Sequence, residues 1–160
     1  MLNFFKKNKT IELISPITGK IIPIEEVPDK VFSEKMVGDG IAIEPLEGKV
    51  LSPVDGTVVT IFPTNHAIGL TTKEGIEILI HIGLDTVELG GKGLKRLVEE
   101  GTKVKKGDPL MEFDINVIKE NGKLIITPVV ISNMNNIKKL EKMDGNVEKG
   151  KDIILSVELV

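Results

Sequence analysis

Residues 76–82 read Ile-Glu-Ile-Leu-Ile-His-Ile, and the alternation is strict. In a strand, successive side chains point to opposite faces, so Ile76, Ile78, Ile80 and Ile82 share one face while Glu77, Leu79 and His81 share the other. Four isoleucines at period two predict a strand with one face sealed in a core. The same pattern leaves a histidine, His81, on the open face beside Leu79.

Working outward, similar runs predict strands at Gly40 to Glu44, Ala67 to Thr72 and Lys123 to Ser132. Sixteen Gly and eight Pro are scattered along the 160 residues, as many tight turns between short strands require. Aromatic residues make up only 3%, with five Phe and neither Trp nor Tyr, so the core must be aliphatic, which suits Ile- and Val-rich strands. Two internal echoes extend the pattern. SPITGKIIPI from Ser15 matches SPVDGTVVTI from Ser52, a Pro-x-x-Gly turn feeding a strand. GTKVKKGDPLMEF from Gly101 resembles GNVEKGKDIILSV from Gly145, each with a Gly turn before an apolar run. Together they predict two similar halves folded into one unit.

The expectation is therefore a mainly β chain: an antiparallel β-sandwich or flattened barrel with internal duplication and one or two short helices. Helices are expected at Lys92 to Glu100, where Leu94, Leu97 and Val98 share a side, and at Asn133 to Met143, with Ile137 and Leu140 inward. Residues 10–160 read as a single domain and residues 1–9 as a tail. That tail holds Leu2, Phe4 and Phe5 before Lys6, Lys7 and Lys9, so any membrane contact would be a short basic amphipathic one.

A formal charge of −3 gives no basic field for a phosphate backbone, which argues against nucleic-acid binding. Zero Cys excludes disulfides, thiol nucleophiles and thiolate metal sites. No apolar run approaches the ~20 residues of a membrane span, and a soluble, intracellular protein is expected.

The chemistry rests on two histidines, His66 in PTNHAIGLTT and His81 in IHIGLDTVEL. A Lys73-Glu74-Gly75 turn lies between them. The numbers of directly opposed residues across that turn add to about 148, and those of His66 and His81 fall one short. Opposed Cβ atoms on neighbouring strands lie about 5 Å apart. Two imidazoles at that separation could share a phosphoryl group or a metal ion, with Thr64 and Asp85 as polar neighbours. Spacing alone does not choose between these roles, nor between either and a pair of structural histidines.

Four segments do choose. VFSEKMVGDGIAI (Val31 to Ile43), SPVDGTVVTIFPTNHAIGL (Ser52 to Leu70), IHIGLDTVELGGKG (Ile80 to Gly93) and TPVVISNM (Thr127 to Met134) resemble, in order and spacing, the IIA component of the glucose class of the bacterial sugar phosphotransferase system. The resemblance runs from about Thr10 to the C-terminus. It implies a cytoplasmic phosphoryl carrier, a phosphotransferase component that accepts the group from the small protein HPr and passes it to the IIB domain of a sugar permease. His81 matches the acceptor, His66 the residue that stabilises the phosphoryl group, and Thr64 the residue that orients His66. Asp29 and Asp85 match acidic positions at the partner interface. Phe32, Met36, Val37, Phe62 and Leu79 match an apolar ring around the site, with Leu79 in place of an aromatic found in some members and Met36 in place of an aliphatic residue. Periodicity by itself would assign most of these five to core packing. The resemblance also implies regulatory binding to metabolic enzymes or transporters.

A neutral imidazole suits the acceptor role, because its free lone pair attacks in line and its ordinary pKa near 6.5 keeps much of it neutral. No cofactor is required. Zinc held by His66 and His81 and completed by a partner's carboxylate is the conditional metal site. The competing readings are a zinc-dependent hydrolase of related β architecture, which would need a third protein ligand, and a regulatory module without transfer activity. GTKVKKGDPLMEF also resembles the Gly-turn strands of lipoyl and biotinyl carriers, but no modifiable Lys stands at such a turn.

Overall fold

The computed structural model describes residues 9–160. The expected tail therefore lies outside the described residues apart from Lys9. In chain order the elements are β1 (Thr10–Ile14), β2 (Gly19–Pro23), a 3-10 turn (Ile24–Glu26), α1 (Lys30–Ser33), β3 (Asp39–Pro45), β4 (Lys49–Leu51), β5 (Gly56–Ile61), β6 (Ala67–Thr71), β7 (Glu77–His81) and a second 3-10 turn (Thr86–Leu89). There follow β8 (Leu94–Arg96), β9 (Lys103–Val104), β10 (Pro109–Phe113), α2 (Ile115–Glu120), β11 (Thr127–Ile131), a third 3-10 turn (Met134–Asn136), β12 (Ile137–Lys142), β13 (Asn146–Val147) and β14 (Ile153–Leu159). The mainly β reading and the strands around Ile76–Ile82 hold.

The duplication is visible in the sheet order. Eight strands run β13-β2-β3-β11-β7-β6-β5-β9, every pair antiparallel, and two three-stranded sheets run β1-β14-β12 and β4-β10-β8. Read from its middle, the large sheet is a palindrome. β11 answers β7, β3 answers β6, β2 answers β5 and β13 answers β9, while each three-stranded sheet answers the other. The large sheet ends at β13 and β9 without closing, which makes this the sandwich rather than the barrel.

The Ser-Pro echoes sit where the halves join. Ile14 N–H donates to the Pro53 carbonyl and Leu51 N–H to the Pro16 carbonyl, at 3.1 and 2.8 Å. Each half thus ties the strand entering its own Ser-Pro turn to the turn of the other. Ser15 and Ser52 are both fully buried, and their hydroxyls donate to Ile17 and Val54 carbonyls at 2.7 and 2.6 Å. The second echo completes the pattern. Gly150 N–H reaches the Ser15 carbonyl and Gly107 N–H the Ser52 carbonyl, and Asp152 and Asp108 cap the adjoining turns by accepting from Glu148 and Lys105 N–H.

The isoleucine face packs into one aliphatic core: Ile76, Ile78, Ile80 and Ile82 are at most 1% exposed and join Leu13, Leu110 and Ile154. The opposite face of the sheet centre is covered by the long β2–β3 connection, whose Ile24, Val27 and Phe32 pack on Ala42, Val130 and Leu84. The matching β5–β6 connection, residues 62–66, is far shorter. One half is roofed, and the other leaves His81 half-exposed with His66 buried beside it.

Both expected helices are corrections. Around residues 92–100, Gly90, Gly91 and Gly93 take positive φ, and Leu94–Arg96 pairs with β10 as a strand. The apolar spacing mimicked a helical stripe, but three glycines break any helical turn before it. Ile137–Lys142 is likewise a strand, paired to β14 with a register shift after Ile137 that preserves the misleading spacing. It is an edge strand, and Lys138, Lys139 and Lys142 are typical of such an edge. The two α-helices lie elsewhere, started by Asp29, which accepts from Val31 N–H, and by Asp114, which accepts from Asn116 and Val117 N–H. At four and six residues they are too short to show periodicity.

The seam carries a stability prediction. Ser15→Ala and Ser52→Ala should each destabilise the fold by about 1–3 kcal/mol in urea denaturation, the range for removing one partner from a buried hydrogen bond. A loss under about 0.5 kcal/mol at either position, the range of an ordinary surface change, would refute the equivalence of the two turns.

Candidate active site

His81 is the last residue of β7, on the open face predicted for it, and is half-buried. β6 pairs with β7 so that Ala67 faces His81. His66 therefore precedes β6 by one residue. Continued alternation would send its side chain to the core face with Ile68 and Leu70. Instead residues 63–66 turn away from strand geometry, with Asn65 at φ 59°, in the left-handed region that Asn tolerates better than most residues. The imidazole of His66 thereby lies against that of His81, ring centres 5.2 Å apart at an interplanar angle of 75°. The one-residue offset in the sequence arithmetic is this turn.

Each ring is fixed by one nitrogen. His81 Nδ1 lies 2.7 Å from the Gly83 carbonyl oxygen. A carbonyl only accepts, so Nδ1 carries the proton and the neutral ring keeps its lone pair on Nε2. His66 Nδ1 makes a hydrogen bond with Thr64 Oγ1. Gly83 itself has φ 68°, and a Cβ there would meet the Leu124 carbonyl at 2.7 Å, so the carbonyl that orients His81 sits in a turn only glycine fits. Phe32 packs on His81 and Phe62 on His66, both with ring centres 5.1 Å apart.

Burial pushes the His66 imidazole below its ordinary pKa, and the charge of a protonated His81 would push it further. His81 is also lowered by burial, against the opposing pull of the Gly83 carbonyl and of the Asp29 and Asp85 carboxylates. Both rings are thus held toward the neutral form that a nucleophile or a metal ligand requires.

The other expected residues divide by position. Phe32, at 4% exposure, is both a core residue and the face against which His81 rests. Asp29 caps α1, and its charge also reaches His81. Asp85, exposed at φ 59° with no capping bond from its side chain, presents its carboxylate to solvent near the site. Val37, Phe62 and Leu79 line an apolar trough of about 480 Å³ beside the histidines. Met36 is 68% exposed and does not line that trough. Val59, 54% exposed, and Gly69 line it too, and sequence reasoning missed both. The missing signal was a register shift between Val58 and Thr60, which defeats simple alternation in β5. Also missed was Arg96, whose Nε–H donates to Asn65 Oδ1 at 2.7 Å.

Among the described residues, no group of three or more His, Cys, Asp or Glu side chains is placed to hold a metal ion. His66 and His81 offer two nitrogens, one ligand short of a catalytic zinc site. No helix among the described residues is long and apolar enough to cross a membrane.

Comparison with known proteins gives one family. Residues 11–137 match the family model for the phosphoenolpyruvate-dependent sugar phosphotransferase system, EIIA 1. The chain is 47% identical over 159 residues to the PTS system glucose-specific EIIA component of Borreliella burgdorferi, covering 99% of this chain and 84% of that protein. It is 52% identical over 141 residues to the glucose-specific EIICBA component of Staphylococcus carnosus, covering 88% of this chain and 21% of that longer protein. Among solved structures, the glucose permease IIA from Mycoplasma capricolum superimposes with a TM-score of 0.86 at 42% identity, over 93% of this chain and 96% of that one.

The lowered histidine pKa values predict a pH dependence of stability. A ring whose folded pKa lies below the unfolded value of about 6.5 binds its proton more readily when unfolded. Its stabilising contribution is complete above about pH 6.5 and declines as the pH falls toward the folded pKa. The thermal midpoint of the native chain should therefore drop more steeply between about pH 7.5 and about pH 5.5 than that of a His66→Gln, His81→Gln double variant. Equal slopes would show that the two rings are not held neutral by the fold.

Proposed function

Since the chain belongs to the EIIA 1 family of the phosphoenolpyruvate-dependent sugar phosphotransferase system, we propose that His81 accepts a phosphoryl group from phosphorylated HPr and delivers it to the IIB domain of a sugar permease. The observation that supports this most is the free Nε2 of His81, left by the hydrogen bond of Nδ1 to Gly83, with a second imidazole beside it. The Nε2 lone pair attacks phosphorus as the bond to the donor's histidine nitrogen breaks. The group moves between two imidazole nitrogens, so no metal is needed to activate the nucleophile. Such transfer is governed by positioning and by stabilisation of charge on the three phosphoryl oxygens. With the Thr64 hydroxyl donating to its Nδ1, His66 carries its own proton on Nε2 and presents that N–H to the phosphoryl group.

Partner docking follows from the surroundings. Asp29 and Asp85 flank His81 with negative charge suited to a basic residue on HPr. The trough of Val37, Val59, Phe62 and Leu79 offers an apolar seat that demands shape more than fixed hydrogen bonds, as a surface serving two successive partners must. The names of the relatives favour glucose as the sugar served, and the longer Staphylococcus carnosus relative, an EIICBA component, favours a permease as the recipient. This role places the protein in the cytoplasm, and regulatory binding to metabolic enzymes or transporters would use the same face. Zinc completed by a partner's carboxylate would also use His66 and His81. The two-nitrogen donor set does not favour a free-standing hydrolase.

Reconstitution tests the relay. Phosphorylated HPr should label the native chain with an acid-labile, base-stable adduct, and His81→Gln should abolish the labelling. His66→Gln should still accept the group but fail to pass it to a IIB domain, with a loss of about 100-fold or more in onward transfer, the range for one stabilising donor. Strong labelling of the His81→Gln protein would sink the assignment.

A further inference from the structure

Building on the phosphoryl-relay reading, we infer that Asn65 and Arg96 form a clamp that sets the ring of His66, making Arg96 a positioning residue for onward phosphoryl transfer. The geometry begins with the turn that departs from strand alternation. Asn65 N–H donates to the Phe62 carbonyl at 2.7 Å, its Nδ2 donates to the Leu94 carbonyl at 3.4 Å, and its Oδ1 accepts from Arg96 Nε–H at 2.7 Å. Leu94 and Arg96 belong to β8, in a different sheet from β6. The side chain of Asn65 thus ties the turn bearing Thr64 and His66 to a second, rigid layer.

The other half of the molecule supplies an independent observation. Arg96 pairs with Met111, three residues beyond Asp108, and Lys142 pairs with Leu155, three residues beyond Asp152. Lys142 is therefore the counterpart of Arg96. Ala67 lies three residues before Leu70, which pairs with Val58, and Gly40 lies three before Ile43, which pairs with Ile21. Asp39 is thus the counterpart of His66, and Gly38, at φ 137°, that of Asn65. In that half Lys142 Nζ donates directly to Asp39 Oδ1 at 2.7 Å. The duplicated scaffold uses the same contact twice, a basic side chain from the small sheet gripping the entry to a central strand. In the half with the histidines the grip has moved back one residue, from the strand-entry side chain to Asn65. That shift leaves the ring of His66 free to face His81. The planar guanidinium suits the task, because its Nε–H is directed and loses little freedom on pairing. Its exposed ion pair with Glu99, at 3.7 Å, adds little.

The clamp predicts signatures that a stabilising surface contact would not give. In Arg96→Met the ring nitrogen NMR signals of His66 should shift, and its titration should move up toward the ordinary value as the ring loses its seat. His81 should still accept the phosphoryl group, while transfer to IIB slows by about 10- to 100-fold, the scale of a small misplacement. Asn65→Gly keeps the left-handed turn and removes the grip, so it should reproduce Arg96→Met, and the double variant should be no worse than either. Asn65→Asp keeps the Arg96 contact as an ion pair but cannot donate to the Leu94 carbonyl, so it should recover part of the transfer rate lost in Asn65→Gly. Unchanged His66 signals in Arg96→Met, or additive losses in the double variant, would overturn the clamp. The ring titration requires no partner protein, so it judges the clamp even if the native chain proves not to be labelled by HPr.

Discussion

The fold depends on a mutual constraint: each of two Ser-Pro turns accepts a backbone hydrogen bond from the strand that enters the other. Neither half could settle this seam alone, because each supplies the donor that satisfies the other's carbonyl. From the seam the chain leaves twice along the same path, into β2 and β3 and then into β5 and β6, and the two paths meet at the β11–β7 contact in the middle of the large sheet. The aliphatic core follows, since both halves turn their β-branched faces to the same interior.

The paired imidazoles lie where the repetition is broken. The long β2–β3 connection roofs its own half with Ile24, Val27 and Phe32, and the short β5–β6 connection leaves its counterpart uncovered. Phe32 reaches from the roof onto His81, so the roofed half serves as a wall for the open one. The scaffold needs no added element to bring the two rings together. One shortened loop, one left-handed residue and one glycine carbonyl convert a structural repeat into a pair of oriented imidazoles.

Much of this was legible in the sequence. The alternation from Ile76 to Ile82 gave the core face and put His81 opposite it, and the Ser-Pro and Gly-turn echoes announced the repeat. The pairing of His66 with His81 was visible only to within one residue, because arithmetic assumes regular strands and Asn65 departs from one. Periodicity failed where competing physics was stronger. At Leu94–Arg96 three preceding glycines override a helical stripe, and at Ile137–Lys142 a register shift imitates one. The contact of Phe32 with His81 and the pull of Asp29 on it join positions distant in the chain, which no local pattern encodes, whereas Asp85 lies only four residues from His81. Arg96 was invisible for the same reason, lying 31 residues from Asn65.

The ends of the large sheet have a consequence of another kind. A sheet built from two matching halves offers, in any second molecule, a ready replacement for either half, and open edges invite that exchange. Here both outer strands, Lys103–Val104 and Asn146–Val147, are only two residues long. So short an edge presents too few unpaired backbone groups to template another chain. At the two ends of the large sheet, repetition inside the molecule is thereby kept from becoming repetition between molecules.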